Sequence, residues 1–433
     1  MCGAVFPPHW KVTQLSDDRL LAFENGIWTG AKPPLVECLI IRNTNFTADG
    51  ILDLSNVAII PIEQRQLAKK RLIWGDIIIE RSGGGPQQPV GRVAFFDVRE
   101  GDYCFSNFTS RLRVIDRNTV DPYYLHLYLF YFHISGQTER LQRRTTGIRN
   151  LAFEDYKNSQ VPLPPLPEQR AITHALRAVQ AARAARQREL ALERERKAAL
   201  MAHLFTHGTR GEATRQTEIG ELPESWRVVR FGDLIEDGPQ NGVYKADEAY
   251  GEGVRIIRID GFDNNGVFMS AELRKIRLTP PEVTRYSLRE RDILINRVNS
   301  LSHLGKCVLI SELKEPTVFE SNIMRLHVNE QVVLPEYVFR YLLTEDVRIS
   351  LRSKAKLAVA QASINQGDVR SLLVRLAPLC EQQEIADVLH ACDTKIAALQ
   401  REVAVLDELF RALLEELMTG RLSALPLIAA AVP

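Results

Sequence analysis

Two stretches of this chain repeat their apolar positions at the spacing of a coiled coil. From Ile385 the apolar side chains recur at Leu389, Cys392, Ile396, Leu399, Val403, Leu406, Phe410, Leu413 and Leu417, in strictly alternating steps of four and three. That is a helix-packing seam. No Gly or Pro interrupts Glu381 to about Met418, and Ala, Leu, Glu, Arg and Gln dominate, so one long helix is predicted there. Glu168 to about Phe205 has the same composition and keeps Ile172, Leu176, Val179, Leu190, Leu200 and Leu204 in the matching places. Arg183, Arg186, Glu193 and Lys197 interrupt this second seam. An adjacent face with Ala178, Ala182, Ala185, Leu192 and Ala199 is therefore expected to carry the helix contact, since small side chains permit close approach. At 1.5 Å per residue each helix spans roughly 57 Å.

Elsewhere the apolar runs are short and β-branched. Asp76 to Ile79, Val90 to Phe96 and Arg111 to Ile115, bounded by Gly, Pro and Asn, predict strands of a mixed α/β domain. Pro122 to Phe132 and Pro335 to Leu343 predict helices. These elements occur twice. At an offset of 216, Pro8-His9-Trp10-Lys11-Val12 matches Glu224-Ser225-Trp226-Arg227-Val228, and Asn25-Gly26-Ile27-Trp28 matches Asn241-Gly242-Val243-Tyr244. Ile40-Ile41-Arg42 and Gly75 to Arg81 likewise match Ile256-Ile257-Arg258 and Arg291 to Arg297. Small deletions then bring the offset to 213, where Pro165 to Ile172 meets Pro378 to Ile385. So long a period denotes two whole domains with connectors, not a solenoid.

Charge gives the helices a partner. Pro167 to His207 carries eight Lys/Arg and four Asp/Glu, whereas Glu381 to Leu417 carries three and nine. Net charges of +4 and −6 favour pairing with each other. Helix one leaves the first domain and delivers the chain to the second, so helix two has to run back beside it. The expected fold is α+β: two pseudo-symmetric mixed α/β domains separated by a long antiparallel two-helix coiled coil. The expected boundaries are 1–164 and 211–376 for the domains, 165–210 and 377–421 for the spacer helices, and 422–433 for an apolar tail.

The Pro-Leu-Pro-Glu-Gln segment at 165–169, the Leu-Pro-x-x-Trp start at Leu222 to Trp226 and the duplicated domain-helix plan resemble the specificity subunits of type I restriction-modification systems. The resemblance covers nearly the whole chain. It departs at Cys380 and Gln383, which stand where the first copy has Pro167 and Arg170, and at Pro7-Pro8-His9-Trp10. It implies that each domain is a target-recognition domain for half of a split DNA site, with the helices as ruler and as dock for two methyltransferase subunits. S-adenosylmethionine for adenine methylation, and ATP and Mg for a restriction and translocase subunit, belong by the same resemblance to partners. No cofactor or metal is expected in this chain.

The remaining sequence agrees with a non-catalytic reader. Asp121-Pro122-Tyr123-Tyr124 is close to a methyltransferase motif, but its counterpart is Leu334-Pro335-Glu336-Tyr337 and both open an apolar helix, so Asp as N-cap and Pro at the first position explain it. Ser82-Gly83-Gly84-Gly85-Pro86 lacks the Gly-Lys-Ser/Thr of a phosphate loop and is expected to be a flexible loop. The six cysteines form no CxxC pair and the nine histidines show no ligand spacing. No apolar run reaches the length of a membrane span and no signal peptide opens the chain, so a cytoplasmic protein is expected. A net charge of +1 decides nothing about nucleic acid, because phosphate binding depends on local clusters.

Base edges are read by paired hydrogen bonds and phosphates by positive charge. Three loop sets per half offer the donors. The first half has Asn25, Trp28 and Lys32; Arg81, Gln87 and Gln88; and Arg143, Arg144, Thr145, Arg149 and Asn150. The second has Gln240, Asn241, Tyr244 and Lys245; Arg297, Asn299, Ser300, His303 and Lys306; and Arg352, Lys354, Lys356, Gln361, Ser363 and Asn365. The expected partner is double-stranded DNA. Rival readings are a fused DNA methyltransferase or nuclease, against which the missing cofactor and metal motifs count, and a coiled-coil scaffold that binds no DNA.

Overall fold

The apolar run of Ile77, Ile78 and Ile79 is fully buried because both faces of its strand are covered. In the computed structural model, which describes residues 6–28, 32–85, 88–145, 148–269, 273–358 and 361–430 without the side chains of 144, 145, 148, 429 and 430, the strand Ile77–Glu80 lies inside an antiparallel four-stranded sheet. The order is Leu21–Asn25, Thr109–Val114, Ile77–Glu80, Val93–Phe95. Ile77 and Ile79 face the helix Pro122–Ile134 within one core, and Ile78 faces Phe96 and Phe105 in another. A second sheet joins Ala58–Glu63, Leu35–Ile41 and Tyr103–Phe105, the last two in parallel.

The second copy repeats this register. Ile293–Asn296 sits in a sheet ordered Ile235–Asn241, Ile323–Val328, Ile293–Asn296, Cys307–Leu309. Ile293 and Ile295 enter one core with Tyr337 and Val338, and Leu294 enters another with Phe319. A three-stranded sheet of Arg274–Ile276, Tyr250–Ile257 and Thr317–Phe319 again has one parallel pair.

The chain divides into two units, Met1–Gln187 with Arg401–Pro433, and Arg188–Gln400. Each contains one copy of the sheets and a segment of each long helix, Leu166–His207 and Leu379–Met418. The helix starts are anchored identically. The Gln169 Oε1 accepts the Asp121 N–H at 2.8 Å while its Nε2 donates to the Thr119 and Pro164 carbonyls. Gln382 does the same for Leu334, Val332 and Ala377. The Glu and Gln of the duplicated Leu-x-Glu-Gln start are thus buried fasteners of helix to domain. The helix Pro122–Ile134 is capped by the Asp121 carboxylate, which accepts the Tyr124 N–H at 3.0 Å.

Within each unit the two helix segments run antiparallel. In the first, Arg183 meets Asp407 at 2.7 Å and Arg186 meets Glu402 at 2.9 Å. In the second, Lys395 meets Glu193 at 3.0 Å, and Lys197 meets Asp393. The expected alanine face is not the contact: Ala178, Ala182, Ala185, Leu192 and Ala199 are all exposed. The seam itself packs, with Arg183 and Glu193 buried in it, because each interrupting charge meets its opposite on the other helix. Near the end of the second helix the buried position is Leu414, not the expected Leu413.

Candidate nucleic-acid interface

Three chain segments far apart in sequence meet at the end of the buried strand of the first unit. Asn25 closes the strand Leu21–Asn25, and a Cβ on the next residue, Gly26, would lie 1.8 Å from the Ser106 carbonyl oxygen. Only glycine fits there. Ile27 then bridges Ser106 in parallel and is buried, which turns Trp28 outward with 71% of its surface exposed. Arg81 follows the strand Ile77–Glu80 and donates from its backbone to the Phe108 carbonyl at 2.8 Å. Its Nη1 donates to the Asn25 Oδ1 at 2.5 Å, and the guanidinium lies 4.2 Å over the Phe153 ring. Burial pulls this guanidinium below the ordinary arginine value.

From there the chain does not form the flexible loop expected of Ser82 to Pro86. Ser82–Gly84 is a strand paired with Ile148–Leu151, which pairs in turn with Gln142–Thr145. The Ser82 hydroxyl donates to the Asn150 Oδ1 at 2.5 Å, and the Leu151 N–H to the Arg81 carbonyl at 2.8 Å. The second and third loop sets of this half are thus one small edge sheet. A Gly- and Arg-rich strand carries no hydrophobic alternation, so its pairing is invisible in sequence.

The second unit builds the same junction from equivalent positions. A Cβ on Gly242 would lie 2.2 Å from the Phe319 carbonyl oxygen; Val243 bridges Glu320 and is buried; Tyr244 is 82% exposed. The Arg297 N–H donates to the Asn322 carbonyl at 2.8 Å, its Nη1 to the Ser321 carbonyl at 3.2 Å, and its own carbonyl accepts the Ile364 N–H at 3.0 Å. Val298–Asn299, Ala362–Ser363 and Lys356–Leu357 form the matching edge sheet. The turns 106–108 and 320–322, which hold Arg81 and Arg297, were not among the expected residues. Phe108 is an exposed aromatic on the first of them.

The other expected residues fall in several settings. Arg143 is exposed, 3.7 Å from Asp155, and Arg149 donates to the Gln142 Oε1 at 3.4 Å. Gln88 is exposed beside the edge sheet, whereas Gln87 and the Arg144 and Thr145 side chains lie outside the described residues. Lys32 is exposed, its backbone N–H donating to Glu63. Lys245 pairs with Glu282 at 2.7 Å, Gln240 accepts from Arg325 at 2.8 Å, and Arg352 donates to Glu345. Ser300 and His303 share an exposed turn, with Oγ and Nδ1 3.1 Å apart. Asn299 and Ser363 are half-buried in the edge sheet, and Lys354, Lys356 and Gln361 are exposed around it. Asn365 caps the short helix Gln366–Arg370, accepting the Asp368 N–H at 3.1 Å.

Lys306 belongs elsewhere. It is buried, with its ammonium donating to the Ile259 and Phe262 carbonyls and lying 4.9 Å over the Phe262 ring. Arg92 makes the corresponding bonds to Asn43 and Phe46, so both cations are internal fasteners of a repeated turn. The shared Gly91-Arg92 and Gly305-Lys306 pairs, at an offset of 214, were the sequence signal for it.

Exposed donors therefore lie in or beside each edge sheet, Arg143 and Gln88 in the first unit and Lys354, Lys356 and Gln361 in the second, and each unit exposes an aromatic ring at the same repeat position. Such a surface suits base edges and phosphates. Among the described residues no three His, Cys, Asp or Glu side chains cluster as metal ligands, and no helix is long and apolar enough to cross a membrane.

Comparison with known proteins gives the class. The model of the type I restriction modification DNA specificity domain matches residues 40–194 and 223–407, and the chain belongs to that family. It is a specificity subunit, not a catalytic one. It is 24% identical to the EcoKI specificity subunit of Escherichia coli K12 over 98% of this chain and 86% of that one. Against the StySPI specificity subunit of Salmonella potsdam it is 27% identical over 80% and 73%. The match to the putative MjaX specificity subunit of Methanocaldococcus jannaschii, 28% identical, spans 48% of this chain and about half (49%) of the relative. In fold it is similar to the type I S subunit from M. genitalium, with a TM-score of 0.58 at 14% identity over 96% of this chain and 97% of that one. A chain from a structure of type I R-M complex assembly and conformational transition gives 0.58 at 18% identity over 96% and 100%.

Proposed function

We propose that this chain reads a bipartite, asymmetric DNA target, one part with each recognition domain, 1–164 and 211–376, while the helices 165–210 and 377–421 set the gap. The observation that carries this reading is the duplicated junction. Asn25, Arg81 and the edge sheet recur as Asn241, Arg297 and its counterpart, but Arg149 and Asn150 stand in one sheet where the other has Ser363 and the buried Ala362. A shared frame with different donors is what two unlike half-sites require.

In this reading two methyltransferase subunits dock on the chain and supply S-adenosylmethionine for adenine-N6 methylation of double-stranded DNA, and restriction subunits using ATP and Mg join them in the cytoplasm. Every catalytic step lies on those partners. The residues of this chain bind and orient the duplex.

Methylation-sensitive sequencing of DNA from cells with and without the gene tests the reading. Loss of adenine marks at one split, asymmetric motif is the expected result. Unchanged marks, together with no sequence-selective retention of DNA by the chain in complex with a methyltransferase partner, decide for the scaffold reading.

A further inference from the structure

Trp28 and Tyr244 have no partner in the fold that explains them. They are the two most exposed aromatic rings among the described residues, and they occupy the same repeat position, 216 residues apart. Their exposure is imposed by the backbone. Gly26 and Gly242 are pressed against carbonyl oxygens of the neighbouring strand, and Ile27 and Val243 are bridged to that strand and buried at 5% and 3% exposure. In extended backbone successive side chains point to opposite faces, so the ring after a buried residue is turned to solvent. With its backbone held this way, each ring has only two side-chain torsions to lose on binding a partner.

The surroundings are polar and charged, with cations and carboxylates paired. Beside Trp28, the Gln66 Nε2 donates to its carbonyl at 3.4 Å and the Lys70 Nζ to the Gly26 carbonyl at 2.8 Å, with Arg65 and Lys69 exposed on the same helix and paired with Glu63 and Glu24. Three residues before the ring, Asn25 accepts from Arg81. Beside Tyr244 stands Lys245, paired with Glu282, but Asp247 and Glu248 follow on the next turn. A protein partner for an apolar ring is ordinarily matched by further apolar neighbours; a flat ring among surface ion pairs and amides, whose cations phosphates can recruit, matches a polyanion with flat, stackable bases.

We propose that Trp28 and Tyr244 are stacking contacts to DNA, each ring packing against a base step opened at the edge of its half-site. This rests on the reading of the chain as a bipartite DNA reader. It adds a contact that senses how easily a step unstacks, beside hydrogen bonds that sense base edges. The acidic turn near Tyr244 makes Trp28 the stronger of the two.

The test uses the chain assembled with its methyltransferase partner and a duplex carrying the motif found by methylation sequencing, with 2-aminopurine placed at successive positions. For the wild-type complex, fluorescence rises at one step in each half-site. Trp28→Ala weakens binding about tenfold and removes the rise in its own half-site only, and Tyr244→Ala does the same, less strongly, in the other. Trp28→Phe and Tyr244→Phe retain both signals. The salt dependence of binding stays unchanged, because no charge is removed. Alanine variants with wild-type affinity and undiminished fluorescence overturn the proposal. So does loss of methyltransferase assembly in the alanine variants with DNA retention intact, which assigns the rings to a protein interface. Failure of the wild-type complex to select any sequence overturns the underlying reading, and no variant mimics that outcome.

Discussion

His126 shows how a single buried side chain makes the first unit sensitive to acid. It is wholly enclosed within the helix Pro122–Ile134, with Nε2 2.9 Å from the Gly50 carbonyl, and burial pushes its pKa down from 6.5 to about 4. The folded state holds it neutral, while the unfolded chain takes up a proton below about 6.5. Its contribution is therefore complete above pH 6.5 and is lost as the pH falls through 4. The melting temperature is expected to decline across this window, and His126→Gln to flatten that decline even if it lowers the plateau; an unchanged acid limb in the variant refutes the assignment. Lys306 shows the limit of sequence at this scale. Aligned by a constant offset it reads as a loop cation, and only the two-residue shortening of its loop moves it onto Arg92 and into the interior. Arg81, by contrast, was legible as a site candidate because its repeat partner is also arginine just after a predicted strand, and Asn25 because its partner is also asparagine, although the hydrogen bond between them was not.

At the scale of elements, the long helices and the strand triplets were legible because period and composition identify them locally. The contact face of the first helix was not. Arg183 and Glu193 read as polar interruptions, and what buries them is a counter-charge about two hundred residues away. The seam makes an asymmetric prediction. Glu193 is 5% exposed and Lys395 about half exposed, at 3.0 Å. Replacing Glu193 by Leu removes a buried charge and frees a lysine that reaches water, so stability is expected to stay within about 1 kcal/mol of wild type or to rise. Replacing Lys395 by Met leaves the carboxylate buried with Arg196 as its remaining ion-pair partner, and is expected to lower stability where Glu193→Leu does not. Urea unfolding of the two variants checks the contrast, and equal losses refute it. The edge sheets stayed hidden for the opposite reason, since Gly, Arg and Ser strands exist only through their pairing.

For the whole molecule, duplication was the most legible feature, because a shared register over some seventy residues survives divergence of the loops between. What sequence left open was how the divergent loops are assembled, and the structure joins parts of the second and third sets of each half in one small sheet beside one arginine. Specificity is then expected to be separable by half. Alanine at Arg143, Arg149 and Asn150 together is expected to relax or abolish recognition of one part of the motif while leaving the bases read by the other part unchanged, each true base contact being worth roughly 1–3 kcal/mol. Methylation sequencing of cells carrying the triple variant reads this directly, and an equal change in both parts counts against separate readers.

The charged seam also behaves as a keyed connector. Sliding the second helix by seven residues one way sets Arg183 against Gln400, Arg186 against Lys395, Glu193 against Val388 and Lys197 against Ala386. Sliding it the other way offers Leu414, Leu409, Glu402 and Gln400. Neither neighbouring setting supplies a single opposite charge, and the like pairs Arg186 with Lys395 and Glu193 with Glu402 repel. An all-apolar zipper fastens almost as well one tooth out; this one does not.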